Sequence, residues 1–561
     1  MNILGLSYGC HDAAACLVRD GVPLAAVEEE RFSRIKHDSR FPARAAAYCL
    51  SYGGIKSDAL DAIVFYEKPA KKLERIFQIG KHYSGYPNRK LNSQLSAAII
   101  SGLNVEDEIR NALDYSGSIY YCEHHLSHAS ATFFSSPFES AAILTLDGVG
   151  EWATTAEFYG AAGRVEERRE IRYPHSLGLF YSTITSYLGF DVNEDEYKVM
   201  GLASYGSQTH RACFDELITI NNNGSFSLNL KYFSFMYDAD RMYSDDLEVL
   251  LGPARRRGEP IDQRHRDIAA SLQGAIEDSV VALARSIHLR SGSRNLCLAG
   301  GVAQNCVANT KVLTDSGFDN IFIQPAPGDS GAAMGAALWA NHQVLNYPRR
   351  ITDHSALLGP EFSDDEILNE LGKFNLKFER LNECELCDKV AAMIANDLIV
   401  GWFQGRMEFG PRALGSRSIL ANPTSPLMKD ILNSRVKFRE EFRPFAPAVL
   451  EDAASEYFDL PRHSRFMLFT PKVLSHRRVE IPAVTHVDGT ARVQTVSKSR
   501  QPLFYQLISS FGRITGTPIV INTSFNIRGE AIVCTPEDAI KCFLGTDIDF
   551  LAIGSFLVSK V

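Results

Sequence analysis

The chain has 561 residues, 45% of them hydrophobic, with 58 lysines and arginines against 67 aspartates and glutamates and a formal net charge of −9. That length exceeds a single hydrophobic core and predicts two or more domains, while the acidic balance excludes an overall field for nucleic acid. The opening MNILGLSYGCHDA does not read as a signal peptide, no apolar run is long enough for a membrane span, and 11 scattered cysteines fit reduced thiols, so a soluble, cytoplasmic protein is expected.

In chain order, NILGLSYG, HDAAACLVRDG and VPLAAVEEERF read as three strands separated by turn residues. Residues 139–171 repeat the pattern as ESAAILTLDGVG, EWATTAEFYGAAG and RVEERREI. Two such meanders predict a duplicated α/β fold, each half offering a polar loop to a nucleotide cleft: His11 and Asp12 in one, Asp147 and Gly148 in the other. HSLGLFYSTITSYLGF and DIAASLQGAIEDSVVALARSIHLRSG carry helical spacing with a glycine stop. SRNLCLAGGVAQN reads as a strand that breaks on Gly300 and Gly301 before a helix, either a ligand approach or a tight turn.

Between the meanders, CEHHLSHA places His124 and His128 four apart. On a helix their Cβ atoms lie about 5–6 Å from each other, so both can reach one metal; buried, hydrogen-bonded histidines are the alternative. HExxH is not met, because His125 follows His124, which disfavours a hydrolytic zinc protease. Asp147 ends a strand, and Asp329 opens a helix of small residues, where a simple helix cap is the other reading. Two imidazoles with two carboxylates suit iron(II), manganese or zinc better than calcium.

Residues 341–365 mix proline, glycine and charge and read as a boundary. The expected domains are 1–350 and 360–561. The second concentrates Arg406, Arg412, Arg417, Arg435, Lys437, Arg439 and Arg443 around Gly405, Gly410 and Gly415, a pattern that reads as a phosphate cradle with some surface charge; no GxxxxGK[ST] occurs. Cys384 and Cys387 form a CxxC without a second ligand pair and read as packing.

HDAAACLV, EEERFSRIKH, HHLSHA, LDGVG, YKVMGLASYG, LAGGVAQN, GPRALGSRSIL, NSRVKFREEFRPFAP and INTSFNIRGE occur in this order. The chain thereby resembles the O-carbamoyltransferases of nodulation and antibiotic tailoring. The resemblance implies an N-terminal actin- and sugar-kinase-like domain, similar to the tRNA threonylcarbamoyl transferases, and a C-terminal domain similar to the threonylcarbamoyl-AMP synthases. It implies carbamoyl-adenylate formation from ATP and carbamoyl phosphate, then carbamoyl transfer to a hydroxyl of a small molecule. Metal ligands are expected at His124, His128, Asp147 and Asp329, holding one divalent ion, iron(II) foremost. Adenylate or ATP is expected at His11, Lys36, Gly178 and Gly301 and, in the second domain, at Arg412, Lys437, Arg443, Arg492 and Asn522. His11 is the candidate general base. The loop before HDA is shorter than in an aminoglycoside-modifying relative, so that acceptor is not carried over. The competing readings are a tRNA threonylcarbamoyl-type transferase, disfavoured by the missing basic face, and a non-catalytic nucleotide-binding regulator, for which two separate sites would be superfluous.

Overall fold

The structure, a computed structural model, describes residues 1–83, 104–238, 240–351 and 355–560. The chain divides into two compact units, Met1–Glu29 with His37–His354 and Glu30–Lys36 with Ser355–Val561. Of the expected boundary segment 341–365, residues 352–354 lie outside the described residues.

The first unit is α/β and duplicated. Strands β1 (Asn2–Ser7), β2 (Ala14–Arg19) and β3 (Val22–Glu28) form an antiparallel meander. Strand β4 (Ala62–Phe65) pairs parallel to β1 and β5 (Ile119–Tyr121) parallel to β4, giving the order β3-β2-β1-β4-β5. The same plan recurs with β6 (Ser140–Leu146), β7 (Ala153–Ala161) and β8 (Arg164–Arg172) as the meander. After a small hairpin, β9 (Ile218–Ile220) with β10 (Phe226–Leu228), come β11 (Asn295–Ala299) and β12 (Asn320–Ile323), in the order β12-β11-β6-β7-β8. Both meanders fall where the alternation of apolar runs and glycine turns places them, and the two five-stranded sheets share one topology.

The central strands are apolar on both faces because helices cover both. β8 shows the opposite design: RVEERREIR keeps charged side chains exposed along a sheet edge, which discourages further strand pairing. The helix Gln263–Ser291 is started by a capping box of Asp262 and His265 and stopped by Gly292 at φ 60°.

The second unit is built on one mixed sheet. Its strands are β13 (Lys377–Arg380), β14 (Val400–Phe403), β15 (Arg417–Ala421), β16 (Ala446–Leu450), β17 (Gln494–Val496), β18 (Ile519–Ser524), β19 (Phe550–Ile553) and β20 (Phe556–Ser559). They lie in the order β13-β20-β19-β14-β15-β18-β16-β17. One apolar layer joins Trp402, Leu420 and Val520 to the helices Glu383–Ala395 and Pro502–Thr515. Cys387 is buried in that layer while Cys384 is exposed, so this CxxC serves packing.

One short segment departs from the expected division. Glu30–Lys36 packs with the second unit although it directly follows β3. Arg31 donates to the Gly410 carbonyl at 2.9 Å, and Arg34 donates to the carbonyls of Ile532 and Ala531 at 2.6 and 2.7 Å. Phe32 packs on Met407, Ile532 and Cys534. Lys36, expected beside His11, therefore belongs to the second unit. Among the described residues no helix is long and apolar enough to cross a membrane.

Candidate functional site

His124 and His128 stand on the helix His124–Ser135, in which every residue except Leu126 is buried. The chain fixes this helix at both ends. The Glu151 carboxylate accepts the His124 backbone N–H at 3.0 Å and the Lys68 backbone N–H at 2.8 Å, a negative charge at the positive end of the helix dipole. At the other end Arg349 donates to the carbonyls of Phe133, Ser136 and Phe138 at 2.6, 3.0 and 2.8 Å and stacks over the Phe133 ring. Small residues set the depth of its packing: a Cβ on Gly335 would strike the Ser127 carbonyl and come within 2.7 Å of the Ala131 nitrogen. The helix Asp329–Trp339 can thus lie directly against the histidine helix, and it carries Asp329 as its first residue, with Gly328 at the cap position.

Four side chains converge as a result. The two Nε2 atoms of His124 and His128 are 3.1 Å apart. Asp147 Oδ2 lies 2.9 Å from His128 Nε2 and 3.5 Å from His124 Nε2, and Asp329 Oδ1 lies 3.4 and 3.8 Å from the same atoms. One ligand atom from each of the four lies within 4.8 Å of all the others. Two nitrogen and two oxygen donors aimed at one point fit a divalent first-row metal. Neither Nδ1 atom has a hydrogen-bond partner among the described residues, so within these residues packing and the Nε2 contacts hold the rings.

His125 is the structural histidine of the three. Its Nδ1 lies 2.7 Å from Thr145 Oγ1 and its Nε2 2.9 Å from the Ala153 carbonyl, tying the helix to β6 and β7. Burial and the neighbouring His124 push its pKa down to about 3, so it stays neutral. His128 behaves oppositely: burial alone would lower it, yet the Asp147 and Asp329 carboxylates push it up to about 9. Burial alone would raise the Asp147 carboxyl, and the two imidazoles instead hold it well below the usual range.

Asp147 follows β6 directly, and its loop is pinned by Ser176, whose hydroxyl donates to the Asp147 and Gly148 carbonyls. Gly178, an expected adenylate contact, has a packing duty here: a Cβ would come within 2.7 Å of the Asp147 carbonyl. The Gly301 backbone N–H points at Asp147 Oδ2 across 3.3 Å. Before it, Gly300 turns at φ 91° against the Leu146 backbone, where no side chain fits. A short 3-10 turn, Gly301–Gln304, separates that turn from the helix Cys306–Asp315, so the expected strand-to-helix step is not direct.

His11 borders the cluster, its Nε2 3.9 Å from Asp329 Oδ2. Its Nδ1 lies 3.0 Å from Asp12, whose other oxygen is 2.7 Å from His37 Nδ1. Asp12 and His37 both sit at left-handed backbone angles, φ 52° and 56°, a cost borne at the site. Burial favours the neutral imidazole, but Asp329 and Asp12 overcome it and hold His11 well above its ordinary range.

In the second unit the end of β18 gathers polar groups. Lys437, 3% exposed, donates to Ser524 and Asn526, including the Asn526 carbonyl at 3.0 Å and side-chain oxygen at 2.9 Å. It has no carboxylate within ion-pair reach among the described residues, and burial together with Arg439 holds its pKa well below the usual lysine value. Asn522 donates to the Ala413 carbonyl and to Gln494, at 3.3 and 2.7 Å, while its own side-chain oxygen is buried without a partner. Arg412, Arg443 and Arg492 are half-buried. Two arginines of the expected cradle are structural instead. Arg417 is fully buried, stacks 3.7 Å over Phe403 and donates to the carbonyls of Gln404, Gly405, Ser416 and Pro360. Arg406 donates to the carbonyls of Leu358 and Gly359.

Two organisers carry no local sequence signal. Glu151 reaches a helix 27 positions upstream in the chain. Glu408 folds the arginine-rich loop by accepting the N–H groups of Leu414, Ser416 and Arg417 on one oxygen at 2.7, 2.7 and 3.2 Å.

Comparison with known proteins covers nearly all of the chain. The sequence pattern of the carbamoyltransferase N-terminus matches residues 2–338 and that of the carbamoyltransferase C-terminus residues 391–560. Nodulation protein NolNO of Sinorhizobium fredii is 41% identical over 98% of this chain and 79% of its own length. Nodulation protein NolO of Bradyrhizobium diazoefficiens is 40% identical over 78% of both chains. The uncharacterized protein sll1178 of a Synechocystis species is 42% identical over 100% of this chain and 97% of its own.

Proposed function

This chain belongs to the carbamoyltransferase family, and we propose that it makes carbamoyl-adenylate from ATP and carbamoyl phosphate and passes the carbamoyl group to a hydroxyl of a small metabolite. The observation that carries this reading is the meeting of His124, His128, Asp147 and Asp329 in a duplicated α/β unit, in one chain with a second unit whose buried Lys437 has no carboxylate partner among the described residues.

Carbamate is a poor electrophile because nitrogen and oxygen both donate into its carbonyl. In the proposed sequence, water releases carbamate and phosphate from carbamoyl phosphate; the carbamate oxygen then attacks the α-phosphorus of ATP and pyrophosphate leaves. Lys437, Arg412, Arg443 and Arg492 supply the positive charge for these phosphates, and Asn522 a neutral contact. A buried, unbalanced lysine is costly alone, and an anionic ligand removes that cost.

In the first unit the acceptor oxygen attacks the carbamoyl carbon, AMP leaves, and the hydroxyl proton needs a base. A divalent ion at the quartet, iron(II), manganese or zinc, supplies Lewis-acid polarisation of an oxygen when bound. His11 presents Nε2 toward this site, with Nδ1 anchored by Asp12. While Asp329 keeps its full negative charge, His11 is a proton donor. With that charge shared by a cation, it can accept the hydroxyl proton and return it to the departing phosphate.

The test is incubation with ATP and carbamoyl phosphate while following pyrophosphate, then mass spectrometry of a panel of hydroxyl compounds for a carbamoyl adduct. Pyrophosphate release and a carbamoylated product are expected; the absence of pyrophosphate sinks the adenylate route.

A further inference from the structure

Charged groups that the proposed chemistry does not use lie behind the start of the histidine helix, where Arg75 donates to the Glu151 carbonyl and the Glu151 carboxylate accepts the His124 N–H. Cys10 groups with His11 and Asp329, and Lys72, Glu67 and Arg75 all act on it electrostatically. Lys72 and Arg75 lie three apart on the helix Pro69–His82, hence on one face.

Most charges here are matched. Lys72 pairs with Glu67 at 2.8 Å, and Lys68 and Lys71 share Glu123 at 3.0 and 2.6 Å. The Glu151 carboxylate is occupied by backbone N–H groups. Arg75 differs from these lysines. It is 8% exposed, its Nε donates to the Glu151 main-chain carbonyl at 2.5 Å, and no carboxylate pairs with it among the described residues. Its two terminal nitrogens make no hydrogen bond among the described residues. Guanidinium stays charged when buried, so a fork of donors is held ready for an oxyanion.

Aromatic rings accompany it. The Arg75 guanidinium carbon lies 5.4 Å from the centre of the Tyr173 ring, and Tyr173 meets Phe235 at 6.0 Å. Tyr83, which acts electrostatically on Tyr173, pairs with Tyr237 at 5.5 Å. All four rings are half-buried. Half-covered ring faces beside a charged fork suit a ligand with a stackable ring and a negative group.

We propose that Arg75 and Tyr173 form the acceptor site of the first unit and select a hydroxyl acceptor that bears an anionic group, carboxylate or phosphate, next to a ring. This deepens the proposed carbamoyl transfer and rests on it. The anion sits on the Arg75 fork and the ring lies against Tyr173, which leaves a hydroxyl to face His11.

The test measures binding to the full chain by calorimetry with three probes that share one skeleton: phenyl β-D-glucoside, phenyl β-D-glucuronide and phenyl β-D-glucoside 6-phosphate. The wild type should bind at least one charged probe about 10- to 100-fold tighter than the neutral one, as charge-assisted hydrogen bonds allow; the tighter of the two identifies carboxylate or phosphate. Arg75→Gln should collapse that ratio, Arg75→Lys should keep part of it, and Tyr173→Leu should weaken all three probes while leaving the ratio intact. The proposal is overturned if no probe binds, if the neutral probe binds as well as both charged ones, or if the ratio survives in a folded Arg75→Gln protein. It is also overturned if the Arg75→Gln loss falls on the KM of ATP or carbamoyl phosphate, which would assign the fork to the donor. Wild-type pyrophosphate release without acceptor tests the underlying transfer reading separately.

Discussion

Three histidines within five positions have two different jobs, and their partners decide which. His125 is satisfied on both nitrogens and tuned to be neutral, whereas His124 and His128 share their Nε2 space with two carboxylates. His128→Ala should lower metal affinity by more than the roughly 10- to 100-fold that a supporting residue costs and abolish transfer while sparing pyrophosphate release; metal content and the two partial reactions check this. His125→Ala should cost about 1–3 kcal/mol of stability, the price of unpaired buried groups, read from denaturant unfolding. The metal-free protein should also have a pH signature. His128 rises from 6.5 unfolded to about 9 folded, so its stabilisation is complete below the unfolded value and disappears as pH climbs through the folded one. Thermal scans without metal should show Tm falling between those limits, and His128→Gln should flatten the fall. Metal binding requires neutral imidazole, so added metal should raise Tm most at the alkaline end. At this scale the four-residue spacing and the family resemblance already pointed to His124 and His128; the contacts with Thr145 and Ala153 show what His125 does instead.

Elements bring these residues together because their contact surfaces are small. The run DSGAAMGAALW reads as a helix of small residues from composition alone, and its purpose becomes visible only against Ser127 and Ala131 of the neighbouring helix. Gly335→Ala should force the two helices apart, costing about 1–3 kcal/mol as overpacking does, and should reduce bound metal because Asp329 moves with its helix. Metal stoichiometry measured beside Tm distinguishes this from a loss of stability alone. The arginine-rich loop shows the limit of composition. Arg412 and Arg417 look alike in GPRALGSR, yet Arg417 spends its guanidinium on four carbonyls, an assignment made by the strand pairing of β14 and β15 rather than by residue type.

For the whole molecule, the segment Glu30–Lys36 is the least anticipated feature. Its EEERFSRIK reads as a charged strand end, but Arg31, Phe32 and Arg34 supply hydrogen bonds and apolar cover to the second unit. A fragment spanning residues 355–561 should therefore melt at a lower temperature alone than with an added peptide of residues 29–37, and an Arg34→Ala peptide should restore less. Equal melting with and without peptide would show that the segment contributes nothing to that unit.

The duplicated meander and the four candidate ligands were legible in the sequence itself, because alternating apolar runs, glycine turns and helical spacing are local properties of a chain. Tertiary structure alone decided what His125 is bonded to, which arginines are spent on carbonyls, that Glu151 anchors the histidine helix, and that Arg75 has no carboxylate partner among the described residues. Those outcomes depend on which partner stands within a few ångströms, and such partners come from positions far apart along the chain.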